Sequence, residues 1–122
     1  MNMNYTVRQI GGVTALDLSG RISPGESIAD RLVLQELVGE QVKIGHNKIL
    51  INLREVTYIN SSGIAGLLAS VNTVRNRGGE LRVCNANGHV SEVLRRTHLD
   101  TVINLDQDEL DALQAFSGSS PA

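Results

Sequence analysis

The residues in this chain best placed to do chemistry are two adjacent hydroxyls, Ser61 and Ser62. They lie in the stretch Tyr58-Ile59-Asn60-Ser61-Ser62-Gly63-Ile64-Ala65-Gly66. A strand-like run, Lys48 to Leu53, precedes it, and a long helical pattern follows, beginning at or near Ser61 and stopping before Gly78-Gly79. A loop therefore delivers both serines to a helix start. There the first backbone amides lack partners and the positive end of the helix dipole points outward. Asn60 or Ser61 can cap those amides. The second reading is that one serine is exposed for modification, since the same helix start accepts an anion.

Other chemistry finds little support. A serine nucleophile needs a base within reach, and Ser61 and Ser62 have neither a Gly-x-Ser-x-Gly elbow nor a base placed beside them by sequence. No Gly-rich segment precedes a Lys-Ser or Lys-Thr pair, so there is no phosphate-binding loop of that type. His46, His89 and His98 pair with neither Cys84 nor a carboxylate at metal-ligand spacing. Cys84 sits inside a strand rather than at a helix start, which marks an inert thiol. Asp106, Asp108, Glu109 and Asp111 read as the solvated first turn of a helix, where acids suit the dipole. The expectation is a protein that is not an enzyme and carries no metal and no cofactor.

Composition narrows the partners. The chain has 122 residues, 41% hydrophobic and 20% charged, which suits one soluble domain. Aromatic content is 2%, confined to Tyr5, Tyr58 and Phe116, too few for base stacking on single-stranded nucleic acid. A net charge of -2 removes the attraction that dominates phosphate-backbone binding, so direct nucleic-acid contact is not expected. A single cysteine forms no internal disulfide. The first residues, Met1-Asn2-Met3-Asn4, show neither a basic region nor an apolar run, and no stretch approaches the ~20 apolar residues that cross a bilayer. A cytoplasmic location without membrane insertion is expected. Outside the secretory route, Asn60-Ser61-Ser62 as a glycosylation acceptor is a coincidence.

The elements that must position the serines follow from pattern. Tyr5 to Ile10 and Val13 to Ser19 read as strands about a Gly11-Gly12 turn, and Gly20-Arg21-Ile22-Ser23-Pro24-Gly25 reads as a loop. Leu34, Leu37, Val38 and Val42 predict a helix from about Ala29 to Lys43, ended by Gly45. Lys48 to Leu53 is apolar enough for a strand covered on both faces. In the helix after the serines, Ile64, Leu67, Leu68, Val71 and Val74 form one stripe. Ser62, Gly66, Ser70, Thr73 and Arg77 lie on the other side. There the small residues either admit a partner or let the helix lie against its own sheet. Glu80 to Asn85 is a strand, His89 to Thr97 a helix, and Val102 to Leu105 a short strand. A last helix capped by Asp106 or Asp108 turns Leu110, Leu113 and Phe116 inward. This order predicts an α/β fold, a mixed sheet of about five strands with about four helices packed on it. One domain spans 1–116 and a flexible tail 117–122.

Tyr58-Ile59-Asn60-Ser61-Ser62-Gly63-Ile64, preceded by Ile49-Leu50-Ile51-Asn52-Leu53, resembles the signature of STAS domains. The nearer likeness is to bacterial anti-sigma factor antagonists of the sporulation and stress-response type. Leu18-Ser19-Gly20-Arg21-Ile22, Gly78-Gly79-Glu80-Leu81 and Val93-Leu94-Arg95-Arg96-Thr97-His98-Leu99 match in the family's order, across about Val7 to Leu113. The resemblance implies that the unphosphorylated protein binds an anti-sigma factor, a serine kinase of the histidine-kinase ATPase fold, and so frees a sigma factor. The kinase would phosphorylate Ser61, with Ser62 as substitute, and a serine phosphatase would restore it. Asn60 stands where the family usually has aspartate, which removes a negative charge beside the acceptor. By the same resemblance Arg21, Ser23 and Gly25 lie near the partner, together with Tyr58, Asn60, Ser61, Ser62, Gly63, Gly66 and Ser70. The alternative is a non-switching STAS subunit, a scaffold in a stress-signalling complex or a transporter-associated protein.

Overall fold

The computed structural model describes residues 3–22 and 28–118. The chain runs β1 (Met3–Ile10), β2 (Val13–Ile22), α1 (Ile28–Lys43), β3 (Lys48–Ile59), α2 (Ser61–Arg75), β4 (Glu80–Cys84) and α3 (Gly88–Arg96). A 3-10 turn (Leu99–Thr101), β5 (Asn104–Asp106) and α4 (Glu109–Gly118) complete it. The five strands form one sheet in the order β1-β2-β3-β4-β5, with β1 antiparallel to β2 and every other pair parallel. This is the expected single α/β domain with a mixed sheet and four helices.

Both faces of the sheet are covered, and β3 shows why its sequence is apolar without alternation. Ile49, Leu50 and Ile51 are all 0% exposed. Ile49 and Ile51 join the larger core with Val38 and Val42 of α1, Leu67, Val71 and Val74 of α2, and Val90 and Leu94 of α3. Leu50 points the other way, into a smaller cluster with Val13, Ala15, Cys84, and Ala112 and Phe116 of α4. On this second face Arg8 donates to Asp17 (2.8 Å from Nη2 to Oδ1) and to Glu109 of α4. Asn52 donates to Asp17 at 3.0 Å, and Asn85 donates to Asn52 at 3.0 Å. Burial pushes the Cys84 thiol up to about 12, so it stays protonated.

Two strands run further than sequence patterning predicts. β2 continues through Gly20 to Ile22, because Gly20 is not a terminator but part of an irregularity. Its φ is +88° and the β2–β3 register shifts on either side of it. A bulge keeps the strand going while bending it. β3 continues to Ile59, with Val56 and Ile59 buried among exposed polar residues. β4 pairs only with Lys48 to Asn52, so the second half of β3 projects past its neighbour. Asn85, at a left-handed φ of 60°, turns the chain away after β4. The Asn87 side-chain amide then donates to the carbonyls of Arg54 (3.2 Å) and Val56 (3.4 Å), satisfying β3 on the flank that β4 no longer covers.

Inward and outward faces differ from expectation at three residues. Leu68 is 36% exposed, because the buried stripe of α2 is Gly63, Leu67, Ser70, Val71 and Val74 and leaves Leu68 at its margin. Leu110 is 64% exposed in the first turn of α4, whose contact with the sheet is made by Ala112, Leu113 and Phe116. Ser70 is fully buried. Asp108 is the residue that caps α4, accepting from the Asp111 amide at 2.9 Å. That helix extends to Gly118, past the expected boundary at Phe116; residues 119–122 of the expected tail lie outside the described residues.

Candidate functional site

The corner around Ser61 is built by the projecting end of β3. Asn60 follows it with extended backbone (φ -112°, ψ -177°), the conformation of a helix N-cap. Its Oδ1 accepts the Gly63 amide at 2.9 Å, and its carbonyl accepts the Ile64 amide at 2.9 Å. Its own N–H donates to the Ile22 carbonyl at 3.1 Å, tying the corner to the end of β2. Asn60 is thus the cap, and the Ser61 hydroxyl is left free of that duty. Ser61 is exposed, Ser62 is half-buried, and the first turn of α2 contains no acidic residue. An anion at Ser61 would meet the positive end of the helix with no carboxylate of that turn opposing it.

Gly63 closes the corner from below. It is buried, and a Cβ at this position would meet the Ile22 carbonyl oxygen and the Ile59 side chain. Only hydrogen fits there. Gly63, expected at the partner surface, packs closely here and supplies the capped amide. Ser70, also expected at the partner surface, lies on the buried side of α2. It is 0% exposed and its hydroxyl donates to the Gly66 carbonyl at 2.8 Å, so it supports the helix from inside. Gly66 is half-buried with open space where a Cβ would stand, which leaves it on the accessible side.

Beside the serine lies a cation–aromatic cluster. Arg21 and Tyr58 are register partners in the β2–β3 pair, and the Arg21 guanidinium carbon sits 4.1 Å from the Tyr58 ring centroid. The His89 ring, in the first turn of α3, stacks on Tyr58 with centroids 5.4 Å apart and planes 7° off parallel. Arg21 and His89 are exposed and Tyr58 is half-buried. The structure thus brings together Arg21, Tyr58, Asn60, Ser61 and Ser62, while Ser23 and Gly25 lie outside the described residues. His89 and Asn87 are the members that sequence reasoning missed. The shortened β4 that brings α3 alongside β3 leaves no local pattern.

Among the described residues there is no group of His, Cys, Asp and Glu that could hold a metal ion, and no helix is long and apolar enough to cross a membrane. A groove lined by Glu36, Gly39, Lys43, Thr73 and Arg77 lies between α1 and α2 and does not include Ser61.

The STAS domain family matches residues 4–112 of the chain. An anti-sigma F factor antagonist of Paenibacillus polymyxa is 26% identical over 113 residues, covering 93% of this chain and 94% of the relative. The crystal structure of an anti-sigma factor antagonist from Mycobacterium paratuberculosis has a TM-score of 0.80 at 23% identity, covering 94% of both chains. The phosphorylated form of the Bacillus cell fate determinant SpoIIAA has a TM-score of 0.66 at 13% identity, covering 92% of this chain and 98% of that one. From the antiparallel β1–β2 pair to the capped corner and α4, this chain belongs to the STAS domain family.

Proposed function

We propose that this protein is an anti-sigma factor antagonist that docks an anti-sigma factor, itself a serine kinase, through the Ser61 corner. Docking releases a sigma factor in the cytoplasm, phosphorylation of Ser61 ends it, and a serine phosphatase restores it. The observation that carries this reading is that Asn60 caps α2 and leaves an exposed Ser61 hydroxyl at the helix start. The names of its relatives, and the existence of a phosphorylated form of SpoIIAA, support it. A phosphoserine there brings about -1.5 to -2 charge, which the helix start tolerates and a packed interface does not. The test is incubation with the cognate kinase and ATP, followed by intact mass of the wild type and Ser61→Ala. Phosphate added to the wild type and absent from Ser61→Ala supports the switch.

A second reading is favoured by Asn60 itself. It keeps the cap but lacks the charge of the family's usual aspartate, which suits a STAS scaffold that docks without being switched. An unmodified wild type that still binds its anti-sigma factor would select this reading.

A further inference from the structure

Asn60 and Asn87 stand at the N-caps of α2 and α3 with nearly the same backbone, φ -112° and ψ -177° in one, φ -107° and ψ 166° in the other. Asparagine at an N-cap ordinarily accepts an amide of the first turn. Asn60 does so. Asn87 makes no side-chain capping bond, although the first turn of α3 holds no acidic residue to take over that task. Its carboxamide instead turns toward β3, where one nitrogen donates to the carbonyls of both Arg54 and Val56. That segment needs holding. Its ladder to β2 is interrupted twice, between Asp17 and Ser19 and between Gly20 and Arg21, and on its other flank β4 has ended at Asn52. Within the same turn of α3, the His89 ring stacks on Tyr58, over which the Arg21 guanidinium also lies. The start of α3 thus holds Arg54, Val56 and Tyr58, alternate residues of the strand that leads into Asn60 and Ser61.

We propose that Asn87 and His89 are positioning residues for Ser61: α3 takes the place of the missing strand along the end of β3 and fixes where the helix start presents its hydroxyl. The proposal rests on the reading of Ser61 as the point of docking and phosphorylation. A capping bond would stabilise α3 alone, whereas the bonds Asn87 makes act on the strand end. The path from there to the serine is short. Tyr58 and Ile59 lead into Asn60, whose N–H is tied to the Ile22 carbonyl at 3.1 Å and whose Oδ1 holds the Gly63 amide at 2.9 Å. A shift of the strand end therefore displaces the cap, and Ser61 moves with it. Group transfer is sensitive to such movement, since a misplacement of about 1 Å can cost ~100-fold in rate.

Hydrogen exchange in the full chain, followed amide by amide by NMR, tests the first step. Asn87→Ser and Asn87→Asp each keep an N-cap residue for α3 and remove the nitrogen that reaches both carbonyls, one without charge and one with it. Both should melt close to the wild type yet speed exchange of the Asn60 amide about fivefold or more, with the amides of Ile49 to Ile51 unchanged. His89→Ala should act in the same direction. His89→Phe, which keeps a flat ring to stack on Tyr58, should restore the wild-type rate. Transfer of phosphate from the cognate kinase and ATP should slow several-fold in Asn87→Ser and His89→Ala and recover in His89→Phe. An unchanged Asn60 amide in both Asn87 variants, exchange that rises equally at Ile49 to Ile51, or transfer indifferent to a loosened corner would each overturn the proposal. A wild type that takes no phosphate would instead sink the switch, and the exchange ranking would still decide whether α3 holds the corner.

Discussion

The Asn60 side-chain oxygen holds the Gly63 amide at 2.9 Å, and this one bond separates capping from chemistry at the corner. Removing it should cost stability without touching Ser61. Asn60→Ala is expected to destabilise the fold by about 1 kcal/mol, the usual value of a lost N-cap. Asn60→Asp should retain the bond and add a few tenths of a kcal/mol from the helix dipole. Urea midpoints of the three proteins check both; an Asn60→Ala midpoint equal to the wild type would show that the cap contributes nothing.

Charge placed on Ser61 should act on docking and spare the fold. Ser61→Asp is expected to leave the melting temperature nearly unchanged, since the side chain is exposed at a helix start. In contact with the anti-sigma factor, a penalty of ~3 kcal/mol would lower affinity more than a hundredfold. Titration calorimetry with the partner decides the matter, and equal affinities would defeat the docking mode.

The two glycines of α2 should respond oppositely to alanine. At Gly63 the added methyl meets backbone and side chains of β2 and β3, and overpacking of about 1–3 kcal/mol is expected. At Gly66 it meets nothing within 4 Å, and the gain in helix propensity should stabilise by about 0.5–1 kcal/mol. Thermal melts of both variants test the assignment. If the accessible side of α2 also lies in the interface, Gly66→Ala would bind more weakly while melting higher.

Acid sensitivity should trace to Asp17. Hydrogen bonds from Arg8 hold its carboxyl below the ordinary 3.8, against the opposing effect of burial. A carboxyl lowered in the folded state contributes stability above its unfolded pKa and loses it as pH falls through the folded value. Stability should therefore decline as pH drops below about 3.8. Asp17→Asn should flatten that limb in denaturant midpoints taken through the acid range; an unchanged slope would place the sensitivity elsewhere.

How much of this was legible depended on range. The apolar run of β3, the caps at Asn60 and Asp108, and the alternation of elements are local patterns, and they yield the fold class and the exposed serine. The faces of α2 were less legible. Leu68 and Ser70 exchange the places that hydrophobicity assigns them, because Ser70 can satisfy its hydroxyl on the Gly66 carbonyl and tolerate burial. Gly20 reads as a break, yet β2 continues through it with a shifted register. His89 and Asn87 were invisible for a different reason. Asn87 meets Val56 across a separation of 31 residues, a pairing created by where β4 stops rather than by any motif.

The overhang of β3 makes the Ser61 corner a cantilever, anchored along one flank by β2 and braced on the other from the α3 side by the Asn87 carboxamide and the His89 ring stacked on Tyr58. Pressure from a docked protein on its tip would be felt first at that brace and at the neighbouring imidazole, rather than in the deep core. Slower amide exchange in α3 on complex formation would be the outward sign that the lever transmits load.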